Sequence, residues 1–114
     1  MAELIVYRGD SKTYTITFDD GTNPIDITGW TVFFTVKNKN DNSSTDDDAL
    51  ITRTVTSHSD PVNGQTQVIL SFDDTDIEPG IYKYDFQTIS DTGIRTTYNP
   101  DSFIVTDDVT KRSS

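Results

Sequence analysis

Trp30-Thr31-Val32-Phe33-Phe34-Thr35-Val36 carries apolar groups at 30, 32, 34 and 36, and Tyr82-Lys83-Tyr84-Asp85-Phe86-Gln87 carries them at 82, 84 and 86. An extended strand turns successive side chains to opposite faces, so a period of two specifies strands with one face toward a core. Two further segments share the pattern. Tyr14, Ile16 and Phe18 alternate with Thr13, Thr15 and Thr17, and Val68, Leu70 and Phe72 repeat the spacing. These four segments are expected to supply the core, with Phe33 facing outward. Weaker candidates lie at 4–7, 50–56, 94–98 and 103–109. Within 50–56, Ile51 and Val55 bracket Arg53 on the inward face, which suits an edge strand.

Turn signals separate these runs: Asp20-Gly21, Asn23-Pro24, Asn63-Gly64, Pro79-Gly80 and Asp91-Thr92-Gly93. The last reads as a three-residue hairpin loop with Gly93 in the left-handed position. Asn63-Gly64 fits a two-residue type I′ turn unless nearby Pro61 lengthens the connection. Residues 37–49, rich in Asn, Asp and Ser, hold too little apolar surface to offset ordering and read as a mobile acidic loop. The whole is expected to be all-β: one domain over residues 1–114, a two-layer antiparallel β-sandwich of seven to eight strands.

The composition narrows the function. With 9 Lys and Arg against 19 Asp and Glu, the chain carries a formal charge of −10, which argues against a phosphate backbone as partner. Cysteine is absent and His58 is the only histidine, so thiolate chemistry and multi-histidine metal sites within one subunit are excluded. No stretch approaches the ~18 apolar residues of a membrane-crossing helix. Met1 to Arg8 lack a basic patch followed by an apolar signal core, so folding in the cytoplasm is expected. No enzyme, catalytic residue, cofactor or metal is expected.

Several features invite sharper readings. Arg8-Gly9-Asp10 is the tripeptide read by integrins, but a Gly-assisted bend between the first two strands accounts for it. The clusters Asp19-Asp20, Asp46-Asp47-Asp48, Asp73-Asp74 with Asp76, and Asp107-Asp108 match no EF-hand loop and read as solvated loop charge. His58, in a polar turn before Pro61, reads as an exposed loop residue. Trp30, Tyr82 and Tyr84 share the parity of core residues. Tyr7, Phe33 and Tyr98 are the better candidates for an exposed aromatic contact.

Arg8-Gly9-Asp10, Pro24-Ile25-Asp26-Ile27-Thr28-Gly29-Trp30, Glu78-Pro79-Gly80-Ile81-Tyr82-Lys83-Tyr84 and the closing Phe103-Ile104-Val105, in this order, resemble the immunoglobulin-like domain of phage baseplate upper proteins and related small tail proteins. The resemblance implies an immunoglobulin-like sandwich and a non-enzymatic virion component, assembled in the host cytoplasm. It would act as an adaptor or ring-forming part of tail, baseplate or neck. Its expected partners are other virion tail, baseplate or neck proteins and further copies of itself, with neither nucleic acid nor membrane involved. Arg8, Gly9, Asp10, Asp26, Thr28, Gly29, Trp30, Pro79, Gly80, Tyr82 and Tyr84 are read as scaffold. Leu50, Thr52, Thr54 and Thr56, on an unpaired edge, form the candidate interface. The alternative is a carbohydrate- or cell-surface-binding module, with or without a calcium requirement.

Overall fold

A computed structural model describes residues 3–39, 49–98 and 100–107. The elements are β1 (Leu4–Tyr7), β2 (Lys12–Thr17), β3 (Thr31–Asn38), β4 (Ile51–Val55), a 3₁₀ turn (Pro61–Asn63), β5 (Gln65–Leu70), one helical turn α1 (Phe72–Thr75), β6 (Gly80–Ile89), β7 (Arg95–Thr97) and β8 (Asp101–Thr106). The large sheet runs β1-β8-β6-β3-β4, with β7 also on β6, and β2-β5 form a second small sheet. No helix among the described residues is long and apolar enough to cross a membrane.

The alternation places the core. Val32, Phe34 and Val36 of β3, Tyr84 and Phe86 of β6, Phe103 and Val105 of β8, and Val68 and Leu70 of β5 are buried. The two sheets face each other through rings: Phe18 meets Phe86 edge to face at 6.0 Å, and Tyr14 meets Phe103 at 6.5 Å. Phe72 departs from the expected strand. It opens α1 and is 51% exposed, because Ser71 caps a helical turn that rotates it out of the β5 face. The strand β3 also continues through Lys37 and Asn38, two residues into the expected loop. Residues 40–48 lie outside the described residues.

One pairing corrects the expected antiparallel arrangement: β1 runs parallel to β8, from Leu4 against Phe103 to Tyr7 against Thr106. After β1 the chain bends and enters the other sheet as β2, so no hairpin forces β1 against its sheet neighbour. The Tyr14 hydroxyl then ties the sheets by donating to the Ile5 carbonyl at 2.8 Å.

On the far side of β6, β7 and β8 form one interrupted strand. Gln87 faces Thr97 and Tyr84 faces Asp101, three steps along β6 against four along its partner. The register along β6 therefore shifts by one residue between β7 and β8. At the other end of β7, Ser90 N–H donates to the Ile94 carbonyl at 2.8 Å and Gly93 has φ +87°, the three-residue loop read from the sequence.

The 63–64 connection takes the longer form. Pro61–Asn63 make a 3₁₀ turn, Asp60 bridges Gln65, and among the described residues only glycines have positive φ, so Asn63 is not in a type I′ turn. Gly64 is constrained twice. Its φ is +75°, and a Cβ would meet the Phe18 carbonyl at 2.3 Å and the Ile25 carbonyl at 2.8 Å. Gly64→Ala is therefore expected to cost about 3 kcal/mol, read as a lowered urea midpoint with unchanged slope. In contrast, the Thr88 hydroxyl is buried with no hydrogen-bond partner among the described residues. Thr88→Val, nearly the same shape, is expected to raise stability by about 1 kcal/mol in the same measurement.

Candidate functional site

The large sheet ends at β4, which among the described residues pairs with β3 alone, from Val32 against Val55 to Val36 against Ile51. Five residues, three of them on the inward face, give it little to bury: Ile51 is buried and Val55 half-buried. Leu50, Thr52, Thr54 and Thr56 are all exposed.

Arg53 explains how so short a strand holds its place. Its side chain turns inward beneath β4 and crosses to the small sheet, where Nε donates to the Ile69 carbonyl at 3.3 Å. Nη1 donates to the Thr52 carbonyl at 2.7 Å, and Nη2 pairs with Asp74 on α1. Thus one guanidinium joins the edge of the large sheet, the edge of the small sheet and the helical turn. Residues 53–59, with Gln67 and Ile69, line an open groove of about 500 Å³ beside this clasp.

Burial would raise the Asp74 carboxyl, but the Ser71 N–H, the Arg53 guanidinium and the Ser71 hydroxyl outweigh it and hold it below the usual carboxylate range. Asp20 is held low by the Asn23 and Thr22 N–H groups, and Asp26 by the hydroxyl and N–H of Thr28. These aspartates thus organise local backbone. Among the described residues, no group of three or more His, Asp or Glu is placed to hold a metal.

The remaining candidate residues lie elsewhere. Arg8, Gly9 and Asp10 close the bend after β1: Asp10 N–H donates to the Tyr7 carbonyl at 3.1 Å, Arg8 N–H to Thr106, and Arg8 Nε pairs with Asp76 at 3.1 Å. Asp26 accepts from Thr28, Gly29 leads into β3, and Trp30 is half-buried against the core. Pro79 precedes β6 and Gly80 begins it; Gly80 has open space around it, so that corner does not require glycine. Tyr84 is buried, while the Tyr82 hydroxyl donates to the Glu78 carbonyl.

Two expectations need correction. His58 is not a free loop side chain: Nε2 lies 2.7 Å from the Trp30 carbonyl and Nδ1 2.8 Å from the Thr66 hydroxyl. A carbonyl can only accept, so Nε2 donates, and the imidazole pins the loop after β4 to both sheets. Tyr98 is half-buried and packs on Phe18 at 5.0 Å, leaving Tyr7 as the most exposed of the three aromatic candidates.

An apolar row escaped the sequence reading. Ile5 of β1, Ile104 of β8 and Ile81 of β6 stand side by side on the outer face of the large sheet, with Ile5 50% and Ile81 54% exposed. Each is an outward residue in its own strand, and the signal appears only once three distant strands are placed in register.

Three groups give the pH dependence its sign. Asp74 is held low, so its contribution is complete above the ordinary carboxylate range near ~4 and is lost as pH falls through its lower folded value. Tyr14 and Tyr84 are pushed up to about 12, by burial first and then by Tyr84 and Asp101 respectively, so their contribution is complete below ~10 and is lost as pH rises toward 12. Urea midpoints should therefore be flat from about pH 6 to 9 and fall on either side. Asp74→Asn should flatten the acid limb, and Tyr14→Phe the alkaline limb, at a neutral-pH cost of about 1 kcal/mol for the latter.

The family model of the BppU N-terminal domain, from a phage baseplate upper protein, matches residues 3–91. That span includes β4, the Arg53 clasp and α1. A search of curated proteins finds no match to the chain.

Proposed function

The chain belongs to the family of N-terminal domains of phage baseplate upper proteins, and we propose that within the virion it is an adaptor or ring-forming element, built as an immunoglobulin-like sandwich. Membership makes it a structural component of a phage baseplate or tail and a neighbour of other virion tail proteins. The match across residues 3–91 is the observation that carries the finer reading.

In this account the molecule works by presenting surface rather than by reacting. Arg8, Gly9 and Asp10 close one end of the sandwich. Asp26, Thr28, Gly29 and Trp30 set the entry into β3, and Pro79, Gly80, Tyr82 and Tyr84 set the entry into β6. Leu50, Thr52, Thr54 and Thr56 are the contact residues, because an edge strand leaves backbone donors and acceptors open to a neighbour. Copies brought together in the particle would share that contact.

Mass spectrometry and electron microscopy of purified particles test the proposal. The protein is expected in particles as symmetric density at tail, baseplate or neck. A Thr52→Glu, Thr54→Glu double variant is expected to fold yet to be incorporated at least about tenfold less, about 1.4 kcal/mol of lost contact. Consistent absence of the protein from particles would contradict the role, and normal incorporation of the variant would contradict the contact surface.

A further inference from the structure

We propose that β4 pairs with β4 of a second copy, antiparallel and about a two-fold axis through Arg53, joining two large sheets into one. This deepens the reading of the β4 edge as an assembly surface and rests on it. The first argument is the sequence itself. A two-fold contact must be self-complementary. Ile51-Thr52-Arg53-Thr54-Val55 reads alike in both directions, with a β-branched apolar residue, threonine, arginine, threonine and a β-branched apolar residue. Pairing centred on Arg53 sets Ile51 against Val55 and Thr52 against Thr54.

The backbone agrees. The Thr52 carbonyl is taken by Arg53 Nη1, on the same side chain that reaches across to the Ile69 carbonyl of β5, so it faces the open edge. In a strand the N–H and C=O of one residue point the same way, as do those of the residue two further on. Thr52 and Thr54 therefore present their backbone groups outward. Those of one copy can exchange hydrogen bonds with Thr54 and Thr52 of the other. Arg53 Nη1 must release the Thr52 carbonyl, while its bonds to Ile69 and Asp74 persist.

Charge selects this place on an acidic body. Two molecules of formal charge −10 repel across most of their surfaces, but residues 50–56 contain no carboxylate and the Arg53 charge is met by Asp74 of its own chain. The remaining long-range repulsion is screened over ~8 Å in physiological salt. Strands of five residues bury less than the roughly 1,200–2,000 Å² of a stable interface, so the isolated pair is weak and gains strength only where assembly holds copies together.

Sedimentation equilibrium of the full chain in physiological salt tests this. A concentration-dependent monomer–dimer equilibrium is expected. Thr54→Pro deletes an outward N–H at an edge position that tolerates proline, and it should raise the dimer Kd at least about tenfold, or about 1.4 kcal/mol, with the circular dichroism unchanged. Thr54→Val keeps the N–H and should retain dimerisation. Should Thr54→Pro fail to fold, T52C and T54C chains provide a second readout in a protein without cysteine. When they are mixed, a short thiol cross-linker should yield the mixed dimer in excess over either like pair. A monomer at every concentration, a Thr54→Pro protein that dimerises like the parent, or cross-linking with no preference between 52 and 54 would overturn the pairing. Recovery of the same chain in purified particles would leave the baseplate role standing.

Discussion

Ring against ring across the gap between the sheets is the contact on which everything else depends. The small sheet has only two strands, and such a pair is marginal in water by itself. It persists because Tyr14, Phe18, Val68 and Leu70 are packed against Phe34, Tyr84, Phe86 and Phe103. Phe34 lies 5.1 Å from Phe86 and 6.3 Å from Phe103, so the large sheet offers a continuous aromatic floor rather than separate pockets. Full burial of each such side chain contributes about 1.5–3 kcal/mol, and edge-to-face geometry adds to that.

Around this core, polar groups fix what packing alone leaves loose. The Tyr14 hydroxyl holds β1, and His58 holds the loop after β4 through Trp30 and Thr66. Arg53 joins β4, β5 and α1. Together these contacts hold β4 in place, where among the described residues no strand pairs with its outer edge.

The core strands were legible because a half-buried strand writes its environment into every second residue. Val32, Phe34 and Val36 are buried while Phe33 is not, and Arg53 fell on the inward face of an edge strand as its neighbours Ile51 and Val55 indicate. Non-local facts left no such trace. Nothing in Leu4–Tyr7 specifies a parallel partner a hundred residues away, and nothing in Ile5, Ile81 or Ile104 alone reveals one row across three strands. Phe72 misled because local bonding between Ser71 and Asp74, three residues apart, overrides a parity that had held through Leu70. His58 misled for the opposite reason: its polar neighbours in sequence hide two partners distant along the chain.

Native-state hydrogen exchange measures most directly whether the two sheets form one cooperative unit. The account predicts that the slowest amides of β5 open with the same free energy as the slowest amides of β3 and β6, and with the same denaturant dependence. Exchange of the small sheet through an opening several kcal/mol cheaper, with β3 and β6 still protected, would contradict it.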